Sequence, residues 1–475
     1  MTPRAATEPG NRLHQILARQ RDAFLHEGPP SLLQRRADLK KLRNAVLARK
    51  SEIEDVLNSD FGHHSRHETA IMEIMILIQE IDYLYRNLRR FMRPTRRHVA
   101  LQFRLGSARI EYQPLGVIGV IAPWNYPFSL ALAPLVTAIA AGNRSMIKPS
   151  EFTPATSDLL VSLLAEVFPQ EQVAVVLGDA AVGAAFAALP FDHLVFTGST
   201  PVGRAVMKAA SDNLVPVTLE LGGKSPVIVA RGHALDQAAA RIAYGKLSNA
   251  GQTCVAPDYA LVHEDEIAEF TAAYDKAVAS LYPNGPASDD YTSIINDRHF
   301  SRLTRLIDDA RDKGARILEV GQKPGDAGSR PHTMAPTIVL GVKEDMLIMQ
   351  EEIFGPLLPI LPYRDIDEAI SCVNTRPRPL ALYYFGRDGE DRRNVLSLTT
   401  SGNITINGTL MHYAQDDLPF GGIGPSGMGA YHGVEGFRTL SHGKGIFEQG
   451  RWNGANLLSA PFGRLTKAIL SLMLR

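Results

Sequence analysis

Cysteine is nearly missing from this chain: Cys254 and Cys372 are the only two in 475 residues, so at most one bridge can form and a disulfide-stapled scaffold is excluded. Such sparse use suits a reducing compartment where a thiol stays free for chemistry, and the cytoplasm is the expected location. An excess of charge is missing too. Fifty basic residues face fifty acidic ones, leaving a formal net charge of +0 and a pI near 7.3. No global field draws the chain to nucleic acid or an acidic membrane, and a small neutral partner is expected. The first thirty residues carry Arg4, Glu8, Arg12, Arg19 and Arg21 without an apolar stretch ending in small residues, so no secretory signal is read there.

Uninterrupted apolar runs are scarce. Tyr112 to Asn143 is free of charge and long enough to raise a transmembrane helix. Gly116, Gly119, Pro123, Asn125, Pro127 and Pro134 punctuate it, so a buried strand, a loop and a buried helix fit better. Arg464 to Arg475 is amphipathic with basic flanks. Packing on a partner subunit or on the protein's own surface is preferred there to lying on a membrane, and no stable anchor is expected. His, Cys and carboxylates do not cluster at ligand spacing, so no metal is expected.

What is present is an ordinary globular balance, 45% hydrophobic and 21% charged, in a chain long enough for about three structural units. Residues about 11 to 100 read as helices, with Leu39, Leu42 and Val46, then Ile71, Ile74, Ile78 and Ile81, at three- and four-residue spacing. The basic clusters Arg35 to Lys50 and Arg86 to Arg97 read as solvated helix faces. From Ile110 onward short Val/Ile-rich runs alternate with helical patterns, which predicts a doubly wound α/β fold with a mainly parallel sheet. Val117 to Ile121, Arg144 to Lys148, Val173 to Leu177 and His193 to Phe196 are the expected strands. Thr153 and Pro154 read as an N-cap and first-turn proline before the Leu160, Leu164, Phe168 face. Helices are expected near Val182 to Ala188 and around Met207. A second α/β region runs from about Leu221 to Ile404, and Gly421 to Gly433 is a structured return loop.

Chemistry-bearing residues gather at the strand ends. Gly251-Gln252-Thr253-Cys254 sets a thiol after a small-residue turn, as a nucleophile or as a buried hydrophobe. Cys372, in an apolar helical context, reads as core. Glu220, between Leu219 and Leu221 where a strand enters a glycine turn, is either a general base raised by desolvation or a carboxylate bound to backbone amides. Thr197-Gly198-Ser199-Thr200-Pro201-Val202-Gly203 follows a strand and opens a helix, so it receives a pyrophosphate or is a bare tight turn; it lacks the GxGxxG spacing. Pro123-Trp124-Asn125-Tyr126-Pro127 stiffens a loop and fixes a side-chain amide that can face an oxyanion. Lys148-Pro149-Ser150-Glu151 and Glu351-Glu352-Ile353-Phe354-Gly355-Pro356 complete the set, each alone a solvated turn.

In this order and at these separations, PWNYP, KPSE, FTGSTPVG, LELGGKSP, GQTC and EEIFGP resemble the aldehyde dehydrogenase superfamily from about residue 15 to 448. Ala256-Pro257-Asp258, Leu418 to Gly422 and Gly427 to Gly433 resemble its class 3 branch, and Phe61-Gly62-His63, His67-Glu68-Thr69 and Ala414 to Asp417 are similar to bacterial coniferyl aldehyde dehydrogenases. The resemblance implies Cys254 as nucleophile, Asn125 with the Cys254 amide as oxyanion donors, and Glu220 as the base that hydrolyses a thioester. It implies NAD binding, with NADP as an alternative. Lys148, Ser150 and Glu151 would lie at the adenosine ribose, Gly198, Ser199 and Gly203 at the pyrophosphate, Glu352 and Phe354 at the nicotinamide ribose and ring, and Trp124 and Leu221 at the nicotinamide end. Glu151 would repel a 2′-phosphate and favour NAD.

The implied fold is a Rossmann-type cofactor domain, an α/β catalytic domain and a small oligomerisation arm in a homodimer or higher homo-oligomer. Its divisions are a helical lead-in over 1–100, the cofactor domain over 101–220 with arm strands near 101–113, the catalytic domain over 221–404, the return segment and arm over 405–450 and a tail over 451–475. The substrate is a small aldehyde, expected to be aromatic as in coniferyl aldehyde, with medium or long aliphatic aldehydes as the alternative. From other classes, a cysteine hydrolase needs a histidine beside Cys254, and an inactive binding protein should lack Cys254 or Glu220.

Overall fold

The structure is a computed structural model that describes residues 9–100, 103, 105–322, 330–451 and 459–474. Residues 1–8 of the signal reading, 101, 102 and 104 beside the expected arm strands, and 452–458 and 475 of the tail lie outside the described residues.

Helices occupy most of Pro9 to Phe91, and Leu39, Leu42 and Val46 are fully buried as their spacing predicts. The expectation that helix continues to about 100 does not hold. Pro94 cannot extend the helix Ile76–Phe91, and the chain turns instead into Thr95–Arg97 (β1), antiparallel to Ser107–Pro114 (β2). The four isoleucines also part company. Thr69–Met75 is π-helical, which adds a residue to the turn and rotates the face. Ile74 and Ile81 enter the core, whereas Ile71 is left 43% exposed.

The uncharged stretch divides as its prolines and glycines demand. Val117–Ile121 (β3) is buried along its length, and so is the helix Ser129–Ala141, whose apolar composition on every side suits an element covered all round. Arg144–Lys148 (β4), Val173–Val175 (β5), His193–Thr197 (β6) and Val217–Glu220 (β7) run parallel to β3, with β5 ending two residues short of the expected Leu177. Thr153 is the N-cap of the helix Pro154–Val167, but its side chain does not cap. Asp60 does so from a distant helix, accepting from the amides of Ala155 and Thr156 at 2.9 and 2.8 Å.

A second sheet is built from Pro226–Val229 (β8), Tyr259–His263 (β9), Arg316–Glu319 (β10), Thr337–Leu340 (β11), Leu357–Tyr363 (β12), Ala381–Phe385 (β13) and Asn403–Ile406 (β14), in the order β10-β11-β12-β9-β8-β13-β14. Only β10 is antiparallel to its neighbour. Gly427–Met428 (β15) then returns to the first sheet and pairs with β7, giving the order β15-β7-β6-β3-β4-β5. Ser441–Glu448 (β16) pairs with β2, so β1, β2 and β16 form a separate three-stranded sheet. In the first sheet the chain runs from β3 outward to β4 and β5, then crosses to β6 and β7 on the other side. The carboxyl ends of β3 and β6 therefore flank a topological switch point, where open α/β sheets hold ligands.

Candidate active site

The loops leaving these strands carry the predicted residues. Trp124 and Asn125 follow β3; Lys148 ends β4, with Ser150 and Glu151 just beyond; Gly198 and Ser199 follow β6; Glu220 ends β7 with Leu221 beside it. From the second sheet, Cys254 follows the short 3-10 turn Ser248–Gly251 ahead of β9, and Glu352 and Phe354 precede β12.

Cys254 is a free thiol that lines an apolar cavity of about 170 Å³ together with Met72, Met75, Tyr126, Tyr244, Leu410 and Tyr413. Burial, then the neighbouring carboxylates of Glu352 and Glu220, push the thiol up to about 12. The backbone amides of Cys254 and Val255 face the sulfur and act the other way. Asn125 is 4% exposed and its Nδ2 donates to the carbonyl of Gln252 at 3.0 Å. A carboxamide nitrogen carries two protons, so one remains for a ligand oxygen. Glu220 is 3% exposed, and neither carboxylate oxygen has a hydrogen-bond partner among the described residues. Burial alone raises it well above the ordinary carboxylate range. Of the two readings of Glu220, the amide-bound carboxylate is therefore not the one seen.

The second group sits in the loops that leave β3, β4, β6 and β7 and in the segment ahead of β12. A Cβ on Gly203 would stand 2.6 Å from a Leu221 methyl, so glycine lets the helix Thr200–Ser211 approach the residue after β7 without displacing that side chain, and the helix N-terminus lies just beyond β6. Lys148, 3% exposed, pairs through Nζ with Glu151 Oε2 at 2.7 Å, and Ser150 Oγ accepts from the Phe152 amide at 3.3 Å. Trp124 packs edge-on to Phe354 with ring centres 5.4 Å apart, and also against His299 at 4.6 Å. Burial and Asp258 push Glu352 up to about 7, against the Gly223 amide, Lys224 and Arg302. An open helix N-terminus, a buried cation beside a carboxylate and an aromatic wall fit a dinucleotide.

Several contributors had no signal of their own in the sequence. Phe354 sits at φ 51, a left-handed conformation rare for a side chain of that size. It is held by bonds to its preceding backbone: Arg302 donates to the carbonyls of Glu352 and Ile353, and Asp258 Oδ2 accepts from the Ile353 amide at 2.8 Å. Lys224 pairs with Asp258 and donates to the carbonyls of Ile348 and Glu351. Lys224 and Asp258 lie inside the quoted motifs; Arg302 and His299 do not. Cys372 lies apart on the helix Ile366–Asn374, its sulfur 2.8 Å from Arg376 Nη1.

Comparison with known proteins gives the same picture. Residues 11–446 match the aldehyde dehydrogenase family. The chain is 50% identical over 466 residues to the probable coniferyl aldehyde dehydrogenase of Pseudomonas aeruginosa, covering 98% of this chain and 97% of that one. It is 46% identical over 467 residues to the coniferyl aldehyde dehydrogenase of a Pseudomonas species, covering 98% and 96%. Among solved structures, the substrate-bound AldH of Staphylococcus aureus superposes with a TM-score of 0.91 at 38% identity, over 97% of this chain and 99% of that one. The Mycobacterium tuberculosis aldehyde dehydrogenase complexed with NAD+ does so with a TM-score of 0.84 at 29% identity, over 94% and 91%.

Proposed function

This chain belongs to the aldehyde dehydrogenase family, and on that premise we propose that it oxidises an aromatic aldehyde of the coniferyl type to the carboxylic acid through a covalent bond to Cys254. It is an aldehyde dehydrogenase with the family's fold and uses NAD or NADP. The observation that carries the proposal is the free Cys254 thiol at an apolar, tyrosine-lined cavity, with the Asn125 amide and the unpartnered Glu220 carboxylate brought to the same region.

In this reading the Cys254 thiol releases its proton to solvent, and the thiolate adds to the aldehyde carbon. The second Nδ2 proton of Asn125 and the amide of Cys254 hold the resulting oxyanion; as its carbonyl re-forms, the same carbon gives up hydride and a thioester remains on Cys254. A dinucleotide bound by Lys148, Ser150, Glu151, the Gly198 to Gly203 turn, Glu352 and Phe354 supplies the hydride acceptor. Trp124 and Leu221 close off its nicotinamide end. Glu220 then removes a proton from water, which attacks the thioester; the carboxylic acid leaves and the sulfur regains its proton.

The aromatic preference is supported by the rings of Tyr126, Tyr244 and Tyr413 along the cavity, which suit a flat conjugated substrate, and by the names of the relatives. The reading includes NAD in preference to NADP, supported by Glu151, whose carboxylate would repel a 2′-phosphate. It also includes a cytoplasmic homodimer or higher homo-oligomer, supported by two unbridged thiols and by β16, whose outer edge has no strand partner among the described residues.

The test is kcat/KM for coniferyl aldehyde and for a medium-chain aliphatic aldehyde, measured with NAD on the same preparation. A marked aromatic preference is expected. Equal or better aliphatic turnover overturns the substrate assignment and leaves the family chemistry standing.

A further inference from the structure

Asn249 and Ala250, five and four residues before the thiol, both adopt left-handed backbone conformations, at φ 53, ψ 37 and φ 50, ψ 31. Neither is glycine, and two consecutive side-chain-bearing residues in that region are held there only by their surroundings. Gly251 continues the turn at φ 77, where a Cβ would stand 2.3 Å from the carbonyl oxygen of Gly355, so the turn is wedged against the loop that carries Phe354.

The group that grips the strained turn comes from far away in sequence. Glu68 Oε1 accepts from the backbone amide of Asn249 at 3.1 Å, and Glu68 Oε2 accepts from the Thr292 hydroxyl at 2.7 Å. The Asn249 side chain passes the constraint on. Its Nδ2 donates to the carbonyl of Asn125 at 2.8 Å and to that of Gln252 at 3.3 Å, the same Gln252 carbonyl that receives Asn125 Nδ2. Gln252 is anchored in turn beside Thr292: its Nε2 donates to the Ser293 carbonyl at 3.1 Å and its Oε1 accepts from the Ile295 amide at 3.0 Å. One carboxylate thus ties the start of the π-helical segment, the cysteine turn and the 292–295 loop at a single point.

We infer that Glu68 is a positioning residue: by holding Asn249 and Ala250 in the left-handed turn, it sets the Asn125 carboxamide and the Cys254 amide to face one substrate oxygen. The inference rests on the reading of Cys254 and Asn125 given above. Glu68 touches neither thiol nor cofactor in this arrangement, so its loss acts on oxyanion formation and hydride transfer and spares dinucleotide binding. Glutamine at 68 keeps an oxygen for the Asn249 amide; aspartate keeps the charge and lacks the reach; alanine lacks both.

The experiment is pre-steady-state NADH formation by the wild type, Glu68→Ala, Glu68→Asp, Glu68→Gln, the double variant Glu68→Ala/Ala250→Gly, and Cys254→Ala. Protonated and C1-deuterated aldehyde are compared, and the dissociation constant for NAD is measured alongside. The burst rate constant is expected to fall roughly 10- to 100-fold in Glu68→Ala, the scale of misplaced catalytic groups. It should fall in Glu68→Asp as well and be largely kept in Glu68→Gln. A primary isotope effect on the burst should be as large or larger, with NAD affinity unchanged. Glycine enters the left-handed region freely, so Ala250→Gly should return part of the lost rate. A purely structural role would not produce that recovery. If Glu68→Ala does not fold, the aspartate and glutamine variants decide the matter through the same burst. A wild-type burst rate in Glu68→Asp, or equal losses in the aspartate and glutamine variants, overturns the inference. Full turnover by Cys254→Ala instead overturns the reading beneath it.

Discussion

The Nδ2 of Asn125 lies 3.0 Å from the carbonyl oxygen of Gln252, so the amide that follows β3 is bonded to the backbone two residues before the thiol of Cys254. The proposed oxyanion donor and nucleophile come from different sheets, and this contact joins them. Asn125→Ala should therefore cost roughly 100- to 1,000-fold in kcat, the usual consequence of losing one oxyanion donor, with little change in KM for NAD. Steady-state kinetics on the folded variant check this. A loss confined to KM would assign Asn125 to binding.

Glu220→Gln should leave a burst of NADH of about one equivalent per site and slow the steady rate by at least roughly 100-fold, the low end of general-base effects. Rapid-mixing fluorescence separates the two phases. An unchanged steady rate would remove Glu220 as the base.

The pH dependence has a definite sign. As the proposed base Glu220 acts in its carboxylate form, and burial raises it well above its ordinary value of 4.5, so deacylation should climb with pH through an apparent pKa well above 4.5. The same titration should vanish from the residual deacylation of Glu220→Gln.

Glu73, a buried carboxyl one hydrogen bond behind the cavity wall at Ser129, predicts a stability effect. Glu73 accepts from the Ser129 amide at 2.5 Å, has no partner for Oε1 among the described residues, and is pushed up by burial to about 7. Its folded value lies above the unfolded one, so its contribution is complete below about pH 4.5 and is lost as pH rises through about 7. Buried histidines such as His193 and His432, pushed down to about 4, act with the opposite sign. The difference between Glu73→Gln and wild type isolates the carboxyl. Glutamine keeps an acceptor for Ser129, and the variant should gain on wild type by up to roughly 3 kcal/mol between pH 4.5 and pH 8, at 1.36 kcal/mol per pKa unit. Denaturant unfolding at the two pH values tests it; a constant difference contradicts it.

The proposed preference for NAD rests on Glu151, which is paired with Lys148 at 2.7 Å beyond β4. Glu151→Gln removes the negative charge and should raise kcat/KM for NADP about fivefold, from about 1 kcal/mol of repulsion in a wet cleft. NADP kinetics unaltered by the change would mean that the 2′-phosphate is met elsewhere.

The strands that carry the site were legible because their chemistry is local. β3 and β6 are short apolar runs that end in proline or glycine turns, β4 ends in the charge of Lys148, and Asn125, Glu220 and Cys254 stand in motifs after β3, at the end of β7 and ahead of β9. What escaped was set by partners distant in the chain. Asp60 caps a helix that begins 94 residues later, and Glu68 grips Asn249, 181 residues away, through a backbone amide that leaves no mark on residue type. Arg302 likewise supports Phe354 by bonding to carbonyls. Ile71 departed from its periodic face because a π-helical turn alters the period itself, and β1 was too short and too exposed to show alternation.

The most direct test of the account is NADH formation with coniferyl aldehyde by the wild type and by Cys254→Ala, purified and assayed together. The account predicts steady NADH release by the wild type and none above background from the folded Cys254→Ala protein. Turnover that survives the loss of the thiol would contradict covalent catalysis at Cys254.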